Sequence, residues 1–82
     1  MYKRMKIAIT DEVQLKAVCD VLESIGFKFG FKSEVKMTKH IETYSDGVYD
    51  MYCFNDSGCN TTLTDLLSLR DKQFMEKLNA AD

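Results

Sequence analysis

The clearest pattern of apolar and polar positions lies in residues 11–25, where apolar side chains recur at the spacing of an α-helix. Thr10 is the expected N-cap, and Gly26 is the expected residue at which the helix ends. A short apolar run at residues 6–9 precedes the helix and is expected to form a first strand. The predicted apolar face consists of Leu15, Val18, Cys19, Leu22 and Ile25, and it is widened by Val13, Ala17 and Val21.

Residues 27–43 alternate with a period of two, which is typical of extended strands. In residues 27–31, Phe27, Phe29 and Phe31 share one side of the extended chain. We expect this segment to add to the beginning of a second strand. From residue 34 onwards we expect this second strand to have one face packed on the core, the packed face, and one face exposed to solvent, the wet face. The packed face is predicted to hold Val35, Met37, Ile41 and Thr43, and the wet face Glu34, Lys36, Thr38, His40 and Glu42.

Asp46-Gly47 predicts a hairpin between this strand and residues 48–53. A two-residue loop pairs Ile41 with Tyr52, whereas a three-residue loop with a bulge at the glycine pairs Ile41 with Met51. We favour the longer loop because it gathers the apolar side chains on one face, although it places Glu42 opposite Asp50. The other face then carries Tyr44, Val48, Tyr52 and His40.

The C-terminal segment 62–80 is predicted to be helical, as one helix or as two that break near residues 68–71. Thr62 and Asp65 have the spacing of a capping box. The predicted element order is β-α-β-β-α, which indicates a single α+β domain over residues 1–82. Its sheet is expected to be antiparallel, with the helices on one face.

Composition narrows the classes of function. The chain has 82 residues and a net charge of −2, so it lacks the dense positive charge that non-specific nucleic-acid binding requires. A core of this size is only marginally stable, which makes a homodimer attractive. Its apolar runs are too short to span a membrane, and its three cysteines are widely spaced, so we predict a cytoplasmic protein.

The residues that carry chemistry do not assemble into a known catalytic or metal-binding motif. Cys19, Cys53, Cys59 and His40 lack the close pairs of structural zinc sites. His40 and Cys53 are predicted to lie on opposite faces, which argues against a cysteine nucleophile. We therefore predict no enzyme activity, no cofactor and no metal.

Residues 28–32, Lys-Phe-Gly-Phe-Lys, resemble the first conserved motif of RNA-recognition domains. In that family a basic residue and aromatic side chains on a strand bind and stack on bases. The resemblance implies single-stranded nucleic-acid binding by Lys28, Phe29 and Lys32. The segment departs from the motif because Phe29 occupies the position of its glycine and Lys32 that of an aliphatic residue.

Most of the chain resembles small accessory proteins of large tailed bacteriophages. The resemblance rests on the helix that ends in Gly26-Phe27, on Tyr44, Asp46, Gly47 and Tyr49 of the hairpin, and on Thr61-Thr62-Leu63. It implies a non-enzymatic module that binds and modulates a host protein, within the host cytoplasm. The expected partner-binding residues are Tyr44, Val48, Tyr52 and His40, because an exposed aromatic face often marks a protein contact. Nucleic-acid binding is the alternative.

Overall fold

The computed structural model describes residues 2–80 and has four strands and two helices within them. The predicted α+β class is confirmed. The predicted order lacked one strand, because the aromatic segment after the first helix forms a strand of its own. In chain order the elements are β1 (Lys6–Ala8), α1 (Glu12–Ser24), β2 (Lys28–Lys32), β3 (His40–Thr43), β4 (Val48–Tyr52) and α2 (Leu63–Ala80).

The sheet is mixed, with the strand order β1-β3-β4-β2, so the prediction of a fully antiparallel sheet is wrong in this detail. β3 pairs antiparallel with both β1 and β4, and β2 pairs parallel with β4. β1 and β2 therefore run in the same direction at the two edges of the sheet. α1 connects these two edge strands, and the β3-β4 hairpin fills the space between them.

The hairpin has the three-residue loop that we favoured. Ile41 pairs with Met51, and Glu42 lies opposite Asp50. Gly47 has a φ of 87°, which is the left-handed conformation that this bulged loop requires. The Asp46 side chain accepts a hydrogen bond from the Val48 amide and holds the turn. Local turn chemistry therefore sets the register of the central strands.

The predicted second strand began too early in the chain. β3 starts only at His40, and the preceding residues 33–36 bend rather than extend. Val35, which was predicted to be packed, is 103% exposed, whereas Thr38, which was predicted to be wet, is fully buried. The reason is topological: β2 and β3 flank β4, so the chain between them must cross the end of β4 and cannot continue as a strand.

Both helices pack on one face of the sheet, as predicted. Ile7, Ile41 and Tyr49 of the sheet meet Leu22 of α1 and Leu66 of α2 in one core. The Tyr49 hydroxyl donates a hydrogen bond of 2.6 Å to the Glu23 carboxylate. Burial and this hydrogen bond raise the pKa of Tyr49 above its usual value.

The helix ends differ slightly from the predictions. Asp11, not Thr10, is the N-cap of α1, because its extended backbone lets its side chain accept the Gln14 amide at 2.8 Å. Val13 does not widen the apolar face and is 82% exposed. α2 is one continuous helix, and the predicted capping box between Thr62 and Asp65 is present.

Candidate functional site

The face of the sheet opposite the helices carries a cluster of aromatic rings. We call this side the open face. His40 stacks on Tyr52 with a centroid distance of 5.0 Å, and Phe54 packs edge-on against His40 at 5.1 Å. The rings of Phe31 and Tyr52 are nearly perpendicular, with a centroid distance of 5.9 Å. Strand alternation places His40 and Tyr52 here, and the chain after β4 folds back to bring Phe54 beside them.

The predicted partner-binding residues do lie together on this face, but they form its inner layer. The Tyr44 and Tyr52 hydroxyls are 2.7 Å apart and share a hydrogen bond. Burial, followed by this hydrogen bond, raises the pKa of Tyr44. Tyr44, Val48 and Tyr52 are half-buried, whereas His40 is 0% exposed. His40 therefore cannot touch a partner directly.

The outer layer consists of two phenylalanines that our partner-binding prediction left out. Phe31 is 50% exposed and Phe54 is 54% exposed. Phe31 is one of the alternating phenylalanines of residues 27–31, and the structure places it beside Tyr52. Phe54 was missed because it follows the last strand, where periodicity carries no information about which side of the sheet the chain will cover.

The predicted nucleic-acid residues Lys28, Phe29 and Lys32 are all exposed on β2, at the edge of the sheet. The pairing of β2 with β4 shifts between Phe29 and Lys32. As a result Phe29 packs against Tyr49 on the helix side, whereas Phe31 packs against Tyr52 on the open face. The single aromatic side predicted for this segment is therefore split between the two faces.

A second cluster on the open face is polar and lies beside the aromatic rings. His40 Nδ1 is 2.6 Å from the Phe54 carbonyl oxygen, and His40 Nε2 is 3.3 Å from the Glu42 carboxylate. Asp56 Oδ2 lies 3.9 Å from the same nitrogen and 3.1 Å from Lys6 Nζ. β1 and β3 present Lys6, His40 and Glu42, and the loop after β4 presents Asp56.

The charges in this polar cluster stabilise one another. A hydrogen bond from the Gly58 amide and the ammonium of Lys6 hold the pKa of Asp56 below its usual value. The hydrogen bond to Asp56 in turn raises the pKa of Lys6. The contacts of Asp56 with Lys6 and His40 were not predicted from the sequence.

Cys19, Cys53 and Cys59 are free and partly buried. Burial and the charge of Asp56 raise the pKa of the Cys59 thiol, which disfavours the thiolate that a nucleophile needs.

The fold and this site define a small α+β domain with helices on one face of a mixed sheet and an aromatic and polar surface on the other. No family model matches the chain, and neither the curated proteins nor the solved structures with which it was compared give a match. Among residues 2–80, neither helix is both long and apolar enough to cross a membrane.

Proposed function

We propose that the protein is a non-enzymatic interaction module that binds a partner protein through β2 and the adjoining aromatic surface. The observation that carries this proposal is the exposure of β2, all five of whose residues are exposed. A sheet edge offers backbone N–H and C=O groups to an added strand, and monomeric proteins usually protect such edges.

The side chains of β2 suit an acidic, extended partner segment. Lys28 and Lys32 supply positive charge at the two ends of the strand, and Phe29 and Phe31 supply apolar contact on its two faces. Lysines on an edge also discourage pairing with another neutral or basic strand. The half-exposed phenylalanines of the same strand, in contrast, favour contact with a partner. An edge strand with both lysines and phenylalanines therefore favours a partner with complementary negative charge.

The half-buried Tyr44, Val48 and Tyr52 support this surface from below and extend it across the open face. The resemblance to phage accessory proteins suggests a host protein as the partner, in a reducing compartment such as the cytoplasm that suits free cysteines. A second copy of the chain that pairs through β2 is the alternative occupant.

The proposal predicts that the tagged chain recovers a specific protein from a bacterial lysate and that Phe31→Ser reduces the recovery at least about tenfold. Truncating an interface anchor commonly costs more than about 2 kcal/mol of binding free energy. Quantitative mass spectrometry of the captured proteins gives the measurement. Phe29→Ser is expected to have a similar effect, since it lies on the same edge strand.

Val13→Ser is the matched control, because Val13 is also an exposed apolar residue but lies on α1. It is expected to leave the recovery unchanged. Binding through β2 would be refuted if Val13→Ser and Phe31→Ser reduced the recovery of the captured protein equally. It would also be refuted if both variants recovered that protein as fully as the wild type does. Light scattering of the purified chain would identify a homodimer as the occupant if the wild type is dimeric and Phe31→Ser is monomeric.

Single-stranded nucleic acid is a second candidate ligand, and the exposure of Lys28, Phe29 and Lys32 on one strand favours it. Aromatic side chains stack on bases, and lysines beside them contact phosphates. The net charge of −2 gives little attraction outside this strand, so protein binding remains the first proposal.

The nucleic-acid candidate predicts an anisotropy increase when the protein is added to a fluorescent single-stranded oligonucleotide at low salt. Phe29→Ala is expected to weaken this binding about tenfold or more, because loss of one stacking contact costs about 1–3 kcal/mol. Added salt should also reduce it. An unchanged anisotropy at low salt would remove this candidate and leave the protein partner unaffected.

A further inference from the structure

We propose that His40, Glu42 and Asp56 form a binding site for a divalent transition-metal cation, with zinc as the preferred ion. One ligand atom from each of these three side chains lies within 4.8 Å of the other two. An imidazole and two carboxylates are the donor types found in zinc sites that keep a further position open for water. The inference is independent of the proposed partner binding.

The orientation of His40 is the first argument for the site. Its Nδ1 is 2.6 Å from the Phe54 carbonyl oxygen, which can only accept, so Nδ1 carries the proton. In the neutral ring the lone pair of Nε2 then points towards Glu42 and Asp56. Such an arrangement is satisfied either by a second proton on Nε2, which then donates to Glu42, or by a metal cation between the imidazole and the carboxylates. The hydrogen bond from Nδ1 to a backbone carbonyl is the usual support of a metal-bound histidine.

Preorganisation of the donors is the second argument. His40 has no exposed surface and packs against the rings of Tyr52 and Phe54, which also contact each other. The Gly58 amide donates to Asp56 Oδ1 at 2.6 Å, which leaves Oδ2 to face Lys6 and His40. Residues of one loop thus orient both the imidazole and one carboxylate, so a cation would meet donors that are already in place.

The distances suit a small cation. In a tetrahedral zinc centre with bonds of about 2.1 Å, the ligand atoms are roughly 3.4 Å apart. His40 Nε2 and Glu42 Oε2 are already 3.3 Å apart, and His40 Nε2 and Asp56 Oδ2 are 3.9 Å apart. The three donor atoms lie within 4.8 Å of one another, so a bound ion would draw the two carboxylates together. The Glu42 and Asp56 side chains are 22% and 23% exposed, which leaves a path for the ion.

Lys6 competes with the metal for the same carboxylate. Its ammonium group is 3.1 Å from Asp56 Oδ2, and its side chain is exposed enough to swing away. A cation that binds here must displace this ammonium or share the carboxylate with it. If the cluster binds a metal, removal of the Lys6 ammonium should therefore strengthen metal binding. If the only role of the cluster is to form ion pairs, the same change should merely weaken the cluster.

The test is a calorimetric titration of the full chain with zinc chloride in the presence of a non-thiol reductant. We expect one equivalent to bind, with Glu42→Gln and Asp56→Asn each weakening the affinity at least about tenfold, and Lys6→Met strengthening it several-fold. Glu76→Gln on the exposed side of α2 is the matched control and should bind zinc as the wild type does. Circular dichroism verifies that each variant is folded.

Two further measurements separate this site from other sources of zinc binding. The chain has one histidine, so its Hε1 proton resonance identifies His40 and should shift until one equivalent of zinc is added. Millimolar magnesium should not displace the zinc, because imidazole favours zinc over magnesium. Zinc binding that disappears in Cys59→Ser but persists in Glu42→Gln and Asp56→Asn, or an unshifted His40 resonance, would overturn the proposal.

Discussion

Replacement of Leu66 by alanine is expected to lower the free energy of unfolding by roughly 2–5 kcal/mol. Leu66 is fully buried and is the residue of α2 that lies deepest in the core. The shorter side chain leaves a cavity in the core that α1, α2 and the sheet share, and the surrounding side chains can fill it only in part. Because a domain of this size has a small total stability, the variant should melt at least about 10 °C below the wild type.

Leu78→Ala is the matched control for this experiment. It is the same substitution on the same helix, but Leu78 is 49% exposed, so the loss should stay within about 0.5 kcal/mol. Thermal and urea denaturation of the two variants give the measurement. Equal losses at Leu66 and Leu78 would mean that the second half of α2 is packed as tightly as the first, contrary to the structure.

Gly30→Ala is expected to lower the free energy of unfolding by about 1–3 kcal/mol. A Cβ atom at this position would lie 2.1 Å from Asp50 Oδ1 and 2.5 Å from Val48 Cγ1. Asp50 cannot simply move aside, because its Oδ1 accepts the Phe31 amide at 3.0 Å and the side chain is almost fully buried. The new methyl group must break this hydrogen bond or shift β2 away from β4.

A double-mutant cycle tests this mechanism. Asp50→Ala alone should also be destabilising, since it leaves the Phe31 amide without its acceptor. The combined Gly30→Ala and Asp50→Ala variant should lose less stability than the sum of the two, because each change removes the same hydrogen bond. Lys32→Ala on the exposed side of β2 is the control. Strict additivity would show that the methyl group acts elsewhere.

The elements that were predicted well are those whose signals are local. The apolar spacing of α1 and the capping box of α2 depend on residues three or four apart, and both were found. The hairpin register followed from the turn at Asp46-Gly47 and from the need to keep apolar side chains on one face. Each of these signals is complete within a dozen residues of the chain.

The candidate site was predicted less well because its contacts are distant in sequence. Lys6 and Asp56 are separated by 50 positions, and neither residue has a neighbour whose pattern indicates the other. His40 was expected on a wet strand face, but the loop that carries Phe54 and Asp56 folds over it and buries it. A polar residue on a predicted wet face becomes buried when a later segment covers that face.

The sequence by itself determined that two segments are helical, that a hairpin joins two strands in a particular register and that the class is α+β, since helical and strand periodicity and turn chemistry act over short distances. Only the tertiary structure decided that β2 lies beside β4 as an exposed parallel edge strand and that His40 meets Glu42 and Asp56. Those outcomes depend on which strand the chain pairs with after α1 and on which part of the sheet the loop after β4 packs against. Both are set by packing of the whole domain rather than by any local pattern.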